Sequence, residues 1–187
     1  VNATCDIQYF RGNGFPTELV YSTAKPDTAW VGSTDGTLYR TTNDGGRWDT
    51  VAEPQVFALD RAVEAIAIGP HDPDVVYVGL EGRPTSGPED STPLTKPGLI
   101  FKTTNGGQSW SHVGGDVKAT DGSLLGAYAL RIDPGAPDTV FAATEVGVFR
   151  TTNGGSSWQP FNEGLPPGLV RDLDFVPERR VLRAGIW

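Results

Sequence analysis

Methionine is absent from the 187 residues, cysteine occurs once and histidine twice. A single Cys5 excludes an internal disulfide framework and reads as an ordinary thiol rather than a nucleophile. His71 and His112 are too few for a histidine-based zinc centre, although His71, Asp72 and Asp74 could hold a surface ion weakly. No metal and no cofactor are expected. Basic residues are scarce: 15 Lys and Arg against 23 Asp and Glu leave a net charge of −8. That balance argues against sequence-independent nucleic-acid binding, which needs cations to neutralise phosphates. No apolar run approaches the ~20 residues of a membrane span, and no signal-peptide pattern opens the chain. With no Met, a processed, trimmed or partial product is expected. Gly-x-Ser-x-Gly, phosphate-loop and paired-cysteine motifs are all lacking.

What is abundant is turn chemistry. The chain holds 24 glycines and 15 prolines, far above the roughly 12% of average usage, which argues against a helical bundle. A hydrophobic fraction of 37% with 10% aromatics suffices for a core and excludes wholesale disorder. Asn2-Ala3-Thr4 fits a glycosylation sequon, a pattern short enough to arise by chance.

The organising feature is a repeat. Thr41-Thr42-Asn43-Asp44-Gly45-Gly46-Arg47-Trp48, Thr103-Thr104-Asn105-Gly106-Gly107-Gln108-Ser109-Trp110 and Thr151-Thr152-Asn153-Gly154-Gly155-Ser156-Ser157-Trp158 are three copies of one box. Their period is about 48 residues once a Pro-rich insertion, Gly82 to Pro97, is set aside. Upstream of the box, an alternating segment such as Ala65-Ile66-Ala67-Ile68 leads into a Pro/Asp turn. Then come a β-rich run such as Val76-Tyr77-Val78-Gly79 and a third segment such as Ile100-Phe101-Lys102. The box Trp opens a fourth. Four short strands per unit, separated by turn residues, predict antiparallel sheets, and four-stranded units of this length are propeller blades.

Within the box, Asn beside Gly suits a turn that needs positive φ. The first Thr hydroxyl and the Asn side chain can bond the turn's own backbone, while the Trp can cover the turn and pack on the neighbouring unit. Thr41, Asn43, Gly45, Trp48, Thr103, Asn105, Gly107, Trp110, Thr151, Asn153, Gly155 and Trp158 are therefore read as structural.

These segments resemble the Asp-box, or BNR, repeat of sialidases, xyloglucan-cleaving glycosidases, sortilin-type receptors and photosystem assembly factors. The likeness runs from about residue 17 to the end of the chain, with Asn43, Asn105 and Asn153 where the family usually carries Asp. It implies an all-β propeller but no single chemistry, since members include enzymes, receptors and assembly factors. An extracellular or cell-envelope location is expected. The blades are expected at 17–61, 62–125 (with the 82–97 insertion) and 126–168, and half of a fourth at 169–187. Residues 1–16 form an N-terminal segment able to complete a blade, because Ile7 to Gly14 faintly echoes Gly147 to Gly154. About three and a half blades fall short of the usual 4–8. The expected explanation is a piece of a larger propeller, the others being assembly with a second subunit or completion by the N-terminal segment.

Strand order places the insertion and the linkers between units on the face opposite the boxes, where long loops on a rigid scaffold carry function. Aligned first strands put Glu64, Tyr128 and Arg171 at one repeat-equivalent position, with Thr17 in the first unit. Chemically different residues at an equivalent place are candidate ligand contacts, and Arg83 in the insertion joins them; merely solvated positions are the plainer reading. Asp35, Glu81 and Glu145, at the ends of the second strands, form an acidic set on the same face. They could act as acid and base in glycoside cleavage if they stand about 5–9.5 Å apart, or simply form a solvated rim. The Arg-Ile-Pro segment of sialidases is missing. The expected function is a non-catalytic binding or scaffold module for a glycan or protein, with a glycoside hydrolase as the alternative. A structural assembly factor is not separable from the first at this stage.

Overall fold

In the computed structural model, the described residues are 14–51, 61–82 and 99–187. Cys5, the Ile7 to Asn13 part of the N-terminal echo, Arg83 and nearly all of the insertion lie outside them.

The first unit contains β1 (Pro16–Tyr21), β2 (Ala29–Ser33), β3 (Leu38–Thr41) and β4 (Asp49–Thr50). The second contains β5 (Val63–Ile68), β6 (Val76–Leu80), β7 (Ile100–Thr103) and β8 (Ser111–His112). The third contains β9 (Ala129–Asp133), β10 (Ala136–Thr144), β11 (Gly147–Thr151) and β12 (Gln159–Pro160). Then come β13 (Val170–Val176), a 3-10 turn at Pro177–Arg179 and β14 (Val181–Ile186). Each of the first three units is a four-stranded antiparallel meander with its strands in sequence order, and β13–β14 is a two-stranded sheet.

The first strands pack in succession, β1 on β5, β5 on β9 and β9 on β13, so the sheets fan around an axis that these strands line. This is a partial β-propeller. The core accordingly lies between sheets rather than within one. Trp30 and Leu38 of the first blade pack with Val63, Ile66, Val78 and Phe101 of the second. Tyr77 and Ile100 meet Leu130, Val140, Phe149 and Trp158 of the third. Phe141 and Val148 meet Val170 and Leu173 of the last. Being covered by a sheet on each face explains why β6 is a continuous apolar run, buried throughout; β2 is buried along its length as well.

The box turns share one set of bonds. Thr41, Thr103 and Thr151 each donate their hydroxyl to the Asn side-chain oxygen two residues on, at 2.9 Å. Each hydroxyl also accepts the N–H of Gly45, Gly107 or Gly155 at 3.0 Å. Asp44 and Gly45, Gly106 and Gly107, and Gly154 and Gly155 all have positive φ, as the two central residues of a type I′ turn require; the turn lies inside the seven-residue loop that joins the third strand to the fourth. The Pro/Asp turns lie at the same end: carbonyls of Asp27, Asp74 and Asp138 accept the N–H of Asp44, Gly106 and Gly154 at 2.8, 3.0 and 2.9 Å.

The boxes also join blades. Arg40 donates to the Gly106 carbonyl at 2.9 Å and to Asp74 at 3.0 Å, and Lys102 donates to the Gly154 carbonyl at 3.3 Å. Trp110 sets its edge on Trp30 with centroids 6.0 Å apart, and the Trp158 indole N–H donates to the Val113 carbonyl. In each pair a box sits on the preceding blade.

Candidate binding site at the mouth of the axis

The first strands are interrupted where the variable positions fall. On β1 the pairing steps from Pro16 to Glu18 while its partner advances by one residue, so Thr17 is extra. The same slip extrudes Glu64 on β5 and Arg171 on β13. Tyr128 holds the equivalent place just before β9, its N–H donating to Ala143 at 2.9 Å. A bulge re-aims the side chain it carries. The residues that vary from blade to blade are thus the ones the backbone turns out of the ladder.

Four residues from three blades converge around Tyr128. Its hydroxyl donates to Glu145 Oε1 at 3.0 Å, and the same oxygen accepts the Gly126 N–H at 3.2 Å. Arg171 lies over the ring with its guanidinium carbon 4.6 Å from the centroid. Burial, followed by the charge of Glu145, pushes the Tyr128 phenol far above its ordinary value. Glu64 is raised by burial and by the charge of Glu81, with Arg171 opposing. Glu81 anchors its own stretch of backbone, its N–H donating to Ala62 at 2.9 Å and its carbonyl accepting from Arg61 at 3.0 Å. Glu145 Oε2 is buried and has no hydrogen-bond partner among the described residues.

Asp35 stands apart from this group. Its carboxylate accepts the Ser33 hydroxyl, the Thr37 N–H and the Gly14 N–H. Although burial alone would raise its pKa, these hydrogen bonds together hold it below the ordinary carboxylate value. A carboxylate so occupied stabilises its own turn.

Deeper along the axis lies a residue that the sequence reading did not single out. Glu18 on β1 accepts the Ile66 N–H of the next blade. Burial raises its pKa to about 7; the Ile66 bond and Arg131 pull it down, and Glu64 and Asp172 push it up. Arg131 is 3.5 Å from Asp172. An open cavity of about 500 Å³ runs beside these groups, lined by Glu18, Tyr21, Ile66, Arg131 and Phe175. The signal for Glu18 in the sequence is a lone carboxylate leading into the apolar run Leu19-Val20-Tyr21.

His71, Asp72 and Asp74 are engaged with other partners. His71 Nε2 lies 2.8 Å from the Pro134 carbonyl, Asp72 accepts the Asp74 N–H, and Asp74 pairs with Arg40. Among the described residues no group of three or more His, Cys, Asp or Glu could hold a metal ion, and no helix is long and apolar enough to cross a membrane.

No family model and no curated protein matches the chain. Solved structures do. An ancestral GH74 enzyme aligns over 90% of this chain and 21% of its own, at 21% identity and a TM-score of 0.64. A GH74 enzyme from Niastella koreensis aligns over 91% of this chain and 26% of its own, at 14% identity and 0.66. YCF48 bound to a D1 peptide aligns over 88% of this chain and 46% of its own, at 18% identity and 0.58. The chain therefore spans between about a fifth and a half of these proteins. At such identities the likeness establishes the propeller fold.

Proposed function

We propose that this chain is a segment of a larger propeller acting as a non-catalytic binding module, and that the mouth cluster holds a glycan or a protein ligand. The observation that carries this reading is the convergence of Glu64, Glu81, Tyr128, Glu145 and Arg171 from three blades. Carboxylate acceptors, one guanidinium and a phenol complement a ligand rich in hydroxyl or N–H donors. A preassembled set limits the side-chain ordering cost of binding. A peptide ligand has precedent on this fold, in a YCF48 protein bound to a D1 peptide. An extracellular or cell-envelope setting accords with the neighbouring extracellular domain of a two-component system from B. thetaiotaomicron.

One observation favours a second reading, glycoside hydrolysis. Glu64 is raised by burial and by the charge of Glu81, and a carboxyl set apart in this way from others nearby is the kind of group that acid–base chemistry uses. Titration calorimetry and sugar-release assays against polysaccharides, sialosides and synthetic peptides separate the two. A binding module gives saturable binding, no released sugar, and at least a tenfold loss of affinity in Arg171→Ala. Turnover abolished by Glu81→Gln or Glu145→Gln would establish the hydrolase instead.

A further inference from the structure

Each blade ends in a corner built for the next blade's box. In the first, Arg40 lies over Trp30 with its guanidinium carbon 5.5 Å from the ring centroid and donates to the Gly106 carbonyl. Gly107 comes so close that a Cβ there would stand 2.8 Å from both Trp30 and Val51. In the second, Lys102 lies over Tyr77 at 5.1 Å and donates to the Gly154 carbonyl. A Cβ on Gly155 would stand 2.7 Å from Val113. The third blade carries the same corner in Arg150, Phe141 and Phe161, the counterparts of Arg40, Trp30 and Val51.

No box reaches that third corner among the described residues. Arg150 stacks on Phe161 at 4.8 Å and makes no hydrogen bond or ion pair there, while Phe161 is 37% exposed. The inner half of the same blade face is covered, since Phe175 stacks on Phe141 at 5.7 Å and Leu182 and Ala184 join the cluster. What lies open is the outer half, continuous with the edge of β14, along which no described strand pairs.

The register of the complete blades says what would fit. In them the second strand pairs with the third so that an aromatic faces a cation: Trp30 opposite Arg40, Tyr77 opposite Lys102, Phe141 opposite Arg150. On β14 the equivalent residue is Arg183, opposite Asp174 on the β13 side. A third strand carrying Arg or Lys at the usual place would meet a like charge, which is destabilising directly across a ladder. All three hairpins of this chain carry such a cation, so a second copy is a poor occupant.

We propose that the outer edge of β14 and the Arg150–Phe161 corner form a docking groove for a box-type β-hairpin that completes the sheet begun by β13 and β14, an inference that rests on the chain being a segment of a larger propeller. Its strand extends the sheet, its turn gives a carbonyl to Arg150, and its residue opposite Arg183 is acidic or aromatic. This holds whichever ligand the mouth binds.

The test joins a hairpin to the full chain after Trp187 through a short Gly-Ser linker. The hairpin has the sequence of residues 99–113 with Lys102→Glu. Amide exchange of the outward β14 N–H groups is expected to slow at least tenfold, and the unfolding midpoint to rise. Arg150→Ala in the parent chain should remove most of the gain. A hairpin also carrying Gly107→Val, which cannot adopt the turn's positive φ, should give none. Unchanged exchange with the Lys102→Glu hairpin, or protection that survives Arg150→Ala, overturns the groove. Equal protection by the unaltered 99–113 sequence overturns the charge rule. Concentration-dependent dimers of the unmodified chain, lost in Arg150→Ala, would make a second copy the occupant.

Discussion

Asn43, Asn105 and Asn153 hold their turns through the side-chain oxygen, which takes the Thr hydroxyl and the N–H four residues on, of Arg47, Ser109 or Ser157. Both are acceptor roles, so an amide serves where a carboxylate would, and in two boxes its NH₂ adds a bond to Ser109 or Ser157 at 2.8 and 2.9 Å. Glu18 makes a prediction at the same scale. Its carboxyl ionises near 4.5 in the unfolded chain and at about 7 in the fold. Between those values the folded protein keeps a proton that the unfolded chain has released, so stability falls as pH rises. Glu18→Gln keeps an oxygen for the Ile66 N–H and removes the titration. Its melting midpoint is expected to decline less than the parent's between about pH 5 and 8 and to exceed it at the upper end. Parallel declines in the two proteins would refute the assignment.

At the scale of elements, the repeated latch ties the end of a third strand to the following box. Arg40 and Arg150 occupy equivalent places on β3 and β11, but only Arg40 has its carbonyl and its Asp74. Arg40→Ala strands the Gly106 carbonyl and uncovers Trp30, and should cost on the order of 1–2 kcal/mol by the usual worth of charged hydrogen bonds. Arg150→Ala removes a stacking contact on Phe161 and no hydrogen bond, and should cost less than Arg40→Ala, about 0.5–1 kcal/mol by the usual worth of a cation–π contact. Urea unfolding of both variants measures the difference, and equal losses would show that the latch contributes nothing. The bulges belong to this scale as well. The alignment put Glu64, Tyr128 and Arg171 at one position; it could not reveal that this position is where the ladder slips, because a bulge is a property of two paired strands.

Across the whole molecule, the two ends of the fan differ from its middle. Leu19 is 51% exposed, whereas its repeat equivalents Ile66, Leu130 and Leu173 are each 1% exposed. A blade covers the leading face in the second, third and fourth sheets, and no described blade covers the first. Leu19→Ser is therefore expected to change the unfolding free energy by less than about 1 kcal/mol, while Leu130→Ala should cost about 2–5 kcal/mol as buried truncations do. A large loss at Leu19 in chemical denaturation would mean that its face is covered in solution.

The sequence by itself determined the strands, the turns and the repeat, because each depends on neighbours a few residues away: Asn-Gly for the primed turn, alternation for the strand, a Thr hydroxyl for its own loop. It also placed Glu64, Tyr128 and Arg171 in register, since a repeat carries its geometry with its period. Only the tertiary structure separated Asp35, satisfied within its own turn, from Glu81 and Glu145 beside Tyr128. It alone exposed Glu18, whose altered ionisation comes from burial against the next blade. Those outcomes depend on which blade faces which and how much water is left between them, and no local pattern in the chain encodes that.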